Sequence, residues 1–260
     1  MPRRREALET AVSQNLFLRL KQMPLILIFS ILFAWTPALA DPVRSTAKDD
    51  TEDEGYHWNS ALLQAGFFLG IQHGFRIATE PSSRGNLRGP LFADYFQSAS
   101  ALRGWSDGDP FIVNYVGHPM MGAVSNYIYI QNDPRGRGQV FGKNAGYWKS
   151  RLRALAWTAA YSAQFELGPV SESSIGNVGL DGRGQGTVDL VVTPVVGLAW
   201  STAEDALDRM VVERLERKFK NRIARLAIRS GLNPSRSFSN ALRFKVPWYR
   251  DTREHGVGFR

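Results

Sequence analysis

The chain has no cysteine, which excludes disulfide stapling and a thiolate metal site. It has no window of about 18 uninterrupted, strongly apolar residues. With charged residues at 22% of the chain, a polytopic transporter is excluded as well. A disordered chain is equally poor as a description, because 43% of the residues are hydrophobic. No set of segments alternates apolar and polar residues convincingly, and no fixed-period repeat appears. A transmembrane β-barrel needs at least about eight alternating segments, so neither it nor a solenoid is expected. Also absent are an H-E-x-x-H pair and a G-x-x-x-x-G-K-[ST] phosphate loop. Gly182-Arg183-Gly184-Gln185-Gly186 lacks the preceding strand of a dinucleotide fingerprint and reads as a turn.

What is present begins with an address. Arg3, Arg4, Arg5, Arg19 and Lys21 precede an apolar run from Leu25 to Trp35, then Pro37 and Ala38-Leu39-Ala40. A positive segment, a short apolar stretch and an A-x-A end predict a secretory signal peptide over 1–40, cleaved after Ala40. The 220 residues that follow are enough to bury a core without disulfides. Residues 41–57 are predominantly acidic and read as a flexible linker.

Charge is placed unevenly. Residues 1–40 carry +3, residues 41–208 carry −5, and residues 209–260 carry +10 of the formal +8. A cationic, helical C-terminal end fits an anionic membrane surface, and its plainer reading is a solvated helix face. Nucleic acid is not an expected partner for an exported chain without a reading motif.

Between these ends the periodicity is helical. Helices are predicted at 58–79, 91–103, 111–130, 147–167 and from Val188 to about Lys220, with a kink at Pro194 in the last. Pro119 stands where a helix starts just after His118. Gly66 and Gly70 share a face that would admit a neighbouring backbone, and 81–90 reads as a loop. The expected fold is all-α, an irregular bundle of about five or six helices over 58–230, followed by a basic tail over 231–260.

One group of polar residues stands out because it interrupts apolar helices or ends them. His118 precedes Pro119, Glu166 ends one apolar helix and Asp189 opens another. Asp107, Asp109 and Asn114 lie just before His118, and Glu172 follows Glu166 in the next loop. Buried carboxylates need partners, so His118, Glu166 and Asp189 are the candidate catalytic set. Asp107, Asp109, Asn114 and Glu172 are the candidate binding residues around it. In that arrangement histidine serves as acid/base or metal ligand, oriented by two carboxylates. The alternative is that the same residues cap helices. The pattern decides neither a cofactor nor a metal. His57 and His73 read as surface and packing residues, and His255 as part of the tail.

The strings GDPFIVNYVGHPMMGA, FELGPVSESSIGN and VDLVVTPVVGLAW resemble an uncharacterised family of exported bacterial proteins. The resemblance covers about residues 104–205, on Gly108, Asp109, Asn114, Tyr115, Gly117, His118, Pro119, Glu166, Asp189, Thr193, Pro194 and Gly197. It implies an envelope location and a helical domain, and brings no activity. The order of histidine, glutamate and aspartate is also similar to VanZ-like membrane proteins, although this chain inserts long loops between those helices.

The leading expectation is an exported, membrane-associated helical envelope protein whose buried polar cluster fixes helix packing. The alternatives are an envelope hydrolase acting on lipid or cell-wall material, and a docking module that takes a protein partner on Arg243–Arg250.

Overall fold

The structure, a computed structural model, describes residues 55–79, 81–86, 90–176 and 185–253. The expected signal peptide and nearly all of the acidic linker lie outside the described residues. The described chain is all-α: among these residues there is no strand, only an isolated bridge between Leu102 and Gln185.

Ten helices follow in order among the described residues. They are α1 (Trp58–Thr79), α2 (Pro81–Asn86), α3 (Leu91–Ser100), α4 (His118–Asn132) and α5 (Pro134–Arg137). After them come α6 (Ala145–Leu167), α7 (Val188–Leu207), α8 (Glu213–Lys218), α9 (Arg222–Gly231) and α10 (Pro234–Leu242). Local chemistry sets several starts. Asn144 Oδ1 accepts from Tyr147 N at 2.6 Å to open α6, and Asn221 Oδ1 accepts from Ile223 N and Ala224 N to open α9. The segment over 81–86, expected as a loop, is helical, with Pro81 as its first residue.

α4 is the central rod, packed by α7, α6, α10 and α1. Its closest neighbour is α7, and glycine sets that distance. A Cβ on Gly122 would stand 1.9 Å from the backbone oxygen of Thr193, and one on Gly197 2.8 Å from Gly122 Cα. Only hydrogen fits between these backbones. By contrast, Gly66 and Gly70, expected to admit a neighbour, are exposed on α1, and a Cβ on either would meet nothing within 4 Å.

Helical winding begins before His118 rather than at it. Residues Val113–Gly117 form a π turn, with His118 N donating to Val113 O five residues back. Pro119 has no N–H, and its ring needs room against the preceding turn, which a widened turn supplies. A second π turn, Asp208–Val212, ends α7, so the helix expected as far as Lys220 is divided there.

The interior is polar to an unusual degree. Asn126 accepts from Thr158 Oγ1 at 2.8 Å and donates to Ser201 Oγ at 3.3 Å, tying α4 to α6 and α7. Gln131 joins α4 to α10 through Asn240 and Ser239, while Asn132 reaches Gln64 on α1. Apolar packing supplements this through Phe68, which meets Tyr161 and Phe238 with ring centroids 5.6 Å apart in both pairs. The basic segment after Gly231 is part of this packing. α10 lies on α4, and Arg250 is buried.

Outside, the pattern reverses. Leu62, Leu63 and Phe67 on α1 are exposed, as are Val191, Val195 and Val196 on α7. Among the described residues no helix is long and apolar enough to cross a membrane.

Candidate functional site

α4 and α7 start at the same end of the bundle, and α6 ends there. Their polar terminal residues therefore converge. His118, Glu166 and Asp189 are all buried, and one side-chain ligand atom from each lies within 4.8 Å of the others. His118 Nε2 stands 3.3 Å from Asp189 Oδ2, and His118 Nδ1 stands 3.3 Å from Thr193 Oγ1. Ser162 Oγ on α6 holds the backbone oxygen of Asp189 at 3.0 Å. Phe165 lies edge-on to the His118 ring and stacks on His73, which makes His73 the packing residue expected of it.

The loop before the π turn brings in a third carboxylate. Thr187 N donates to Gly104 O and Val188 N to Trp105 O, so the loop lies along the start of α7. Gly186 makes this possible: a Cβ there would stand 2.4 Å from Asp107 N. Gly104 and Gly108 turn the loop with φ of 74° and 93°, a left-handed backbone that glycine adopts without strain. Asp107 Oδ1 then accepts from Asp109 N at 2.9 Å and from Asn114 Nδ2 at 2.8 Å. Asp107 and Asn114 thus join the cluster, while Asp109 is exposed. Glu172 is buried but is taken by Arg76 in an ion pair.

The residues Gly104-Trp105-Ser106-Asp107-Gly108 match the spelling G-x-S-x-G. No strand leads into them and no helix directly follows, so they do not form a nucleophile elbow. Ser106 Oγ instead accepts from Gly108 N at 3.3 Å.

Among the described residues, no arginine or lysine pairs with the three clustered residues. Burial pushes the His118 imidazole down to about 4, against the upward pull of Asp107. Burial raises Glu166 to about 7, opposed by a hydrogen bond from Gln185. Asp189 rises to about 9, first through burial, then through its hydrogen bond with Asp107 and repulsion from Glu166. Two carboxyl groups bond to each other only by sharing a proton, so Asp189 holds it. For Asp107 burial acts upward, but the bonds from Asp189, Asp109 N and Asn114 carry it below the usual range. At neutral pH this leaves a neutral imidazole beside a protonated Asp189, an ionised Asp107 and a Glu166 near its midpoint. Among the described residues, nothing donates a hydrogen bond to Glu166 Oε1 or Asp189 Oδ1.

A second polar cluster, not foreseen from the sequence, lies at the opposite end of the same three helices. Asp205 accepts from Arg151 Nη2 at 2.6 Å, Tyr147 OH at 2.9 Å and Tyr127 OH at 3.0 Å, and pairs with Arg236. Asp208 accepts from Arg250 Nε at 3.0 Å and Arg253 Nη2 at 2.5 Å. Glu204 accepts from Ser235 N at 3.0 Å and Arg236 N at 3.2 Å, capping α10 from another helix. A cavity of about 40 Å³ lies against this network, lined by Tyr127, Arg151, Asp205, Asp208, Arg236 and Arg250 among others.

Comparison with family models, with curated proteins and with solved structures finds no match.

Proposed function

We propose that this is an exported, membrane-associated helical protein of the bacterial envelope, with its polar groups turned inward to fix helix packing. The observation that carries the reading is the inverted distribution of side chains. The interior is joined by Asn126, Thr158, Ser201, Gln131 and Asn240, while the outer faces of α1 and α7 present Leu62, Leu63, Phe67, Val191 and Val195. No charged residue occurs from Trp58 to Phe75 or from Leu190 to Ala203. Faces of this kind favour an apolar environment over water.

A second surface supports the choice of an anionic bilayer. Phe219 and Ile223 are exposed among Arg217, Lys218 and Lys220, which are exposed as well. Apolar side chains ringed by cations are suited to the interface of anionic lipid. Membrane fractionation of cells and flotation with vesicles of phosphatidylcholine and phosphatidylglycerol test the reading. The protein is expected to float with the anionic vesicles and to resist release by salt. Recovery in the soluble fraction, with no flotation at moderate salt, overturns it.

The convergence of His118, Glu166 and Asp189 favours a second reading, an envelope hydrolase acting on lipid or cell-wall material. A Glu166 carboxyl poised near neutrality suits a general base, with His118 beside it. Under this reading His118→Ala abolishes function and leaves the melting temperature nearly unchanged. A purely structural cluster loses stability instead.

A further inference from the structure

The interior cluster has a property that neither helix packing nor lipid attachment requires. Three side chains of metal-binding type, one imidazole nitrogen and two carboxylate oxygens, converge from three different helices. All three residues are more than nine-tenths buried, with exposures of 7% for His118, 6% for Glu166 and 5% for Asp189. Two of their oxygens, Glu166 Oε1 and Asp189 Oδ1, receive no hydrogen bond from the described residues. Among the described residues, the nearby cation Arg76 is already engaged, held by Glu172 and by Ser83 at 3.2 Å.

We propose that His118, Glu166 and Asp189 bind one divalent transition-metal ion of the zinc class. The geometry between His118 Nε2 and Asp189 Oδ2 supports it. Their 3.3 Å separation is what two ligands about 2.0 Å from a tetrahedral ion subtend. The other imidazole nitrogen is held by Thr193 Oγ1 at 3.3 Å, which leaves Nε2 as the metal-facing atom. Ligating histidines characteristically have such an outer partner. Asp107, bonded to Asp189 and anchored by Asn114, is the outer carboxylate on that side.

The donor set narrows the ion. Imidazole with carboxylates suits zinc, cobalt, iron(II) or manganese, whereas magnesium and calcium favour oxygen ligands and water. Three protein ligands leave a coordination position for water or a substrate oxygen. The inference is independent of what surrounds the helices, because it concerns only the interior end of the bundle.

Cobalt(II) titration of tag-free, chelator-stripped protein, followed by visible absorption, is the test. One equivalent is expected to give the intense d–d bands of a low-symmetry site, displaced by zinc and not by millimolar magnesium. His118→Gln and Glu166→Gln are each expected to weaken binding by at least about 100-fold, and Thr193→Val by about 10-fold, the scale of an outer-partner loss. Far-UV circular dichroism verifies that each variant is folded. Should His118→Gln unfold, Glu166→Gln and Thr193→Val still decide the matter. Absence of saturable cobalt binding in the native chain overturns the proposal. So does binding in folded Glu166→Gln and Thr193→Val that equals the native chain.

Discussion

The two ends of the α4–α6–α7 bundle both bury acidic groups and treat them in opposite ways. At one end Asp205 and Asp208 are saturated by Arg151, Arg236, Arg250 and Arg253. Burial works against their charge, yet the guanidinium groups outweigh it and hold both carboxyls below the usual range. At the other end no ion pair among the described residues joins Glu166 or Asp189 to a guanidinium, and both are pushed upward. Among the described residues, the same three helices thus carry one cluster complete in itself and one without a paired guanidinium. A complete cluster is what structure demands, since an unpaired buried charge is costly. An incomplete one is where a bound cation or chemistry belongs.

Breaking the complete cluster should have the largest effect. Asp205→Ala strands Arg151 and Arg236 in the interior and is expected to cost about 3–5 kcal/mol in chemical denaturation. Next in size is the glycine crossing that holds the two ends in register. Gly122→Ala forces a methyl into the Thr193 backbone and should cost at least about 1–3 kcal/mol. Because the crossing lies one turn from His118, that variant should also loosen the His118–Asp189 contact, read as a shift of the imidazole resonances. A smaller loss, about 0.5–1.5 kcal/mol, is expected for Thr193→Val, which removes one hydrogen bond from His118. Equal costs for Asp205→Ala and Thr193→Val would erase the contrast between the ends.

The contrast was only half legible in the sequence. His118, Glu166 and Asp189 stand out because each interrupts or ends an apolar helix, and helix ends that meet bring such residues together. Helical periodicity was equally readable, and with it the all-α fold. Asp205 and Asp208 were hidden, because a run such as Glu204-Asp205-Ala206-Leu207-Asp208-Arg209 reads as a solvated face. Their partners Arg236, Arg250 and Arg253 come from a segment whose composition suggests a free basic tail. Gly122 and Gly197 are single glycines in separate helices and carry no spacing signal. Gly66 and Gly70 carry that signal and point outward, since spacing names a shared face without saying which way it turns. The π turn before Pro119 was invisible to a period of 3.6.

The pH dependence separates the ends by sign. For Asp205 and Asp208 the folded pKa lies below the ordinary value near 3.8. Their contribution is present above that value and is lost as pH falls through the folded pKa. Glu166 and Asp189 are raised from 4.5 to about 7 and from 3.8 to about 9. Folding then favours their protonated forms, so stability falls as pH rises through those intervals. His118, lowered from 6.5 to about 4, withdraws stability as pH falls through that interval.

Urea unfolding of Asp189→Asn and Asp205→Asn, measured side by side from pH 4 to pH 9 in the presence of a chelator, tests this contrast most directly. Asp189→Asn should match the native chain at pH 4 and become the more stable of the two as pH rises toward 9. Asp205→Asn should be destabilised throughout the neutral range and approach the native chain only in strong acid. Parallel curves, with both variants losing the same stability at every pH, would contradict a cluster at the His118 end whose buried carboxyls are held protonated.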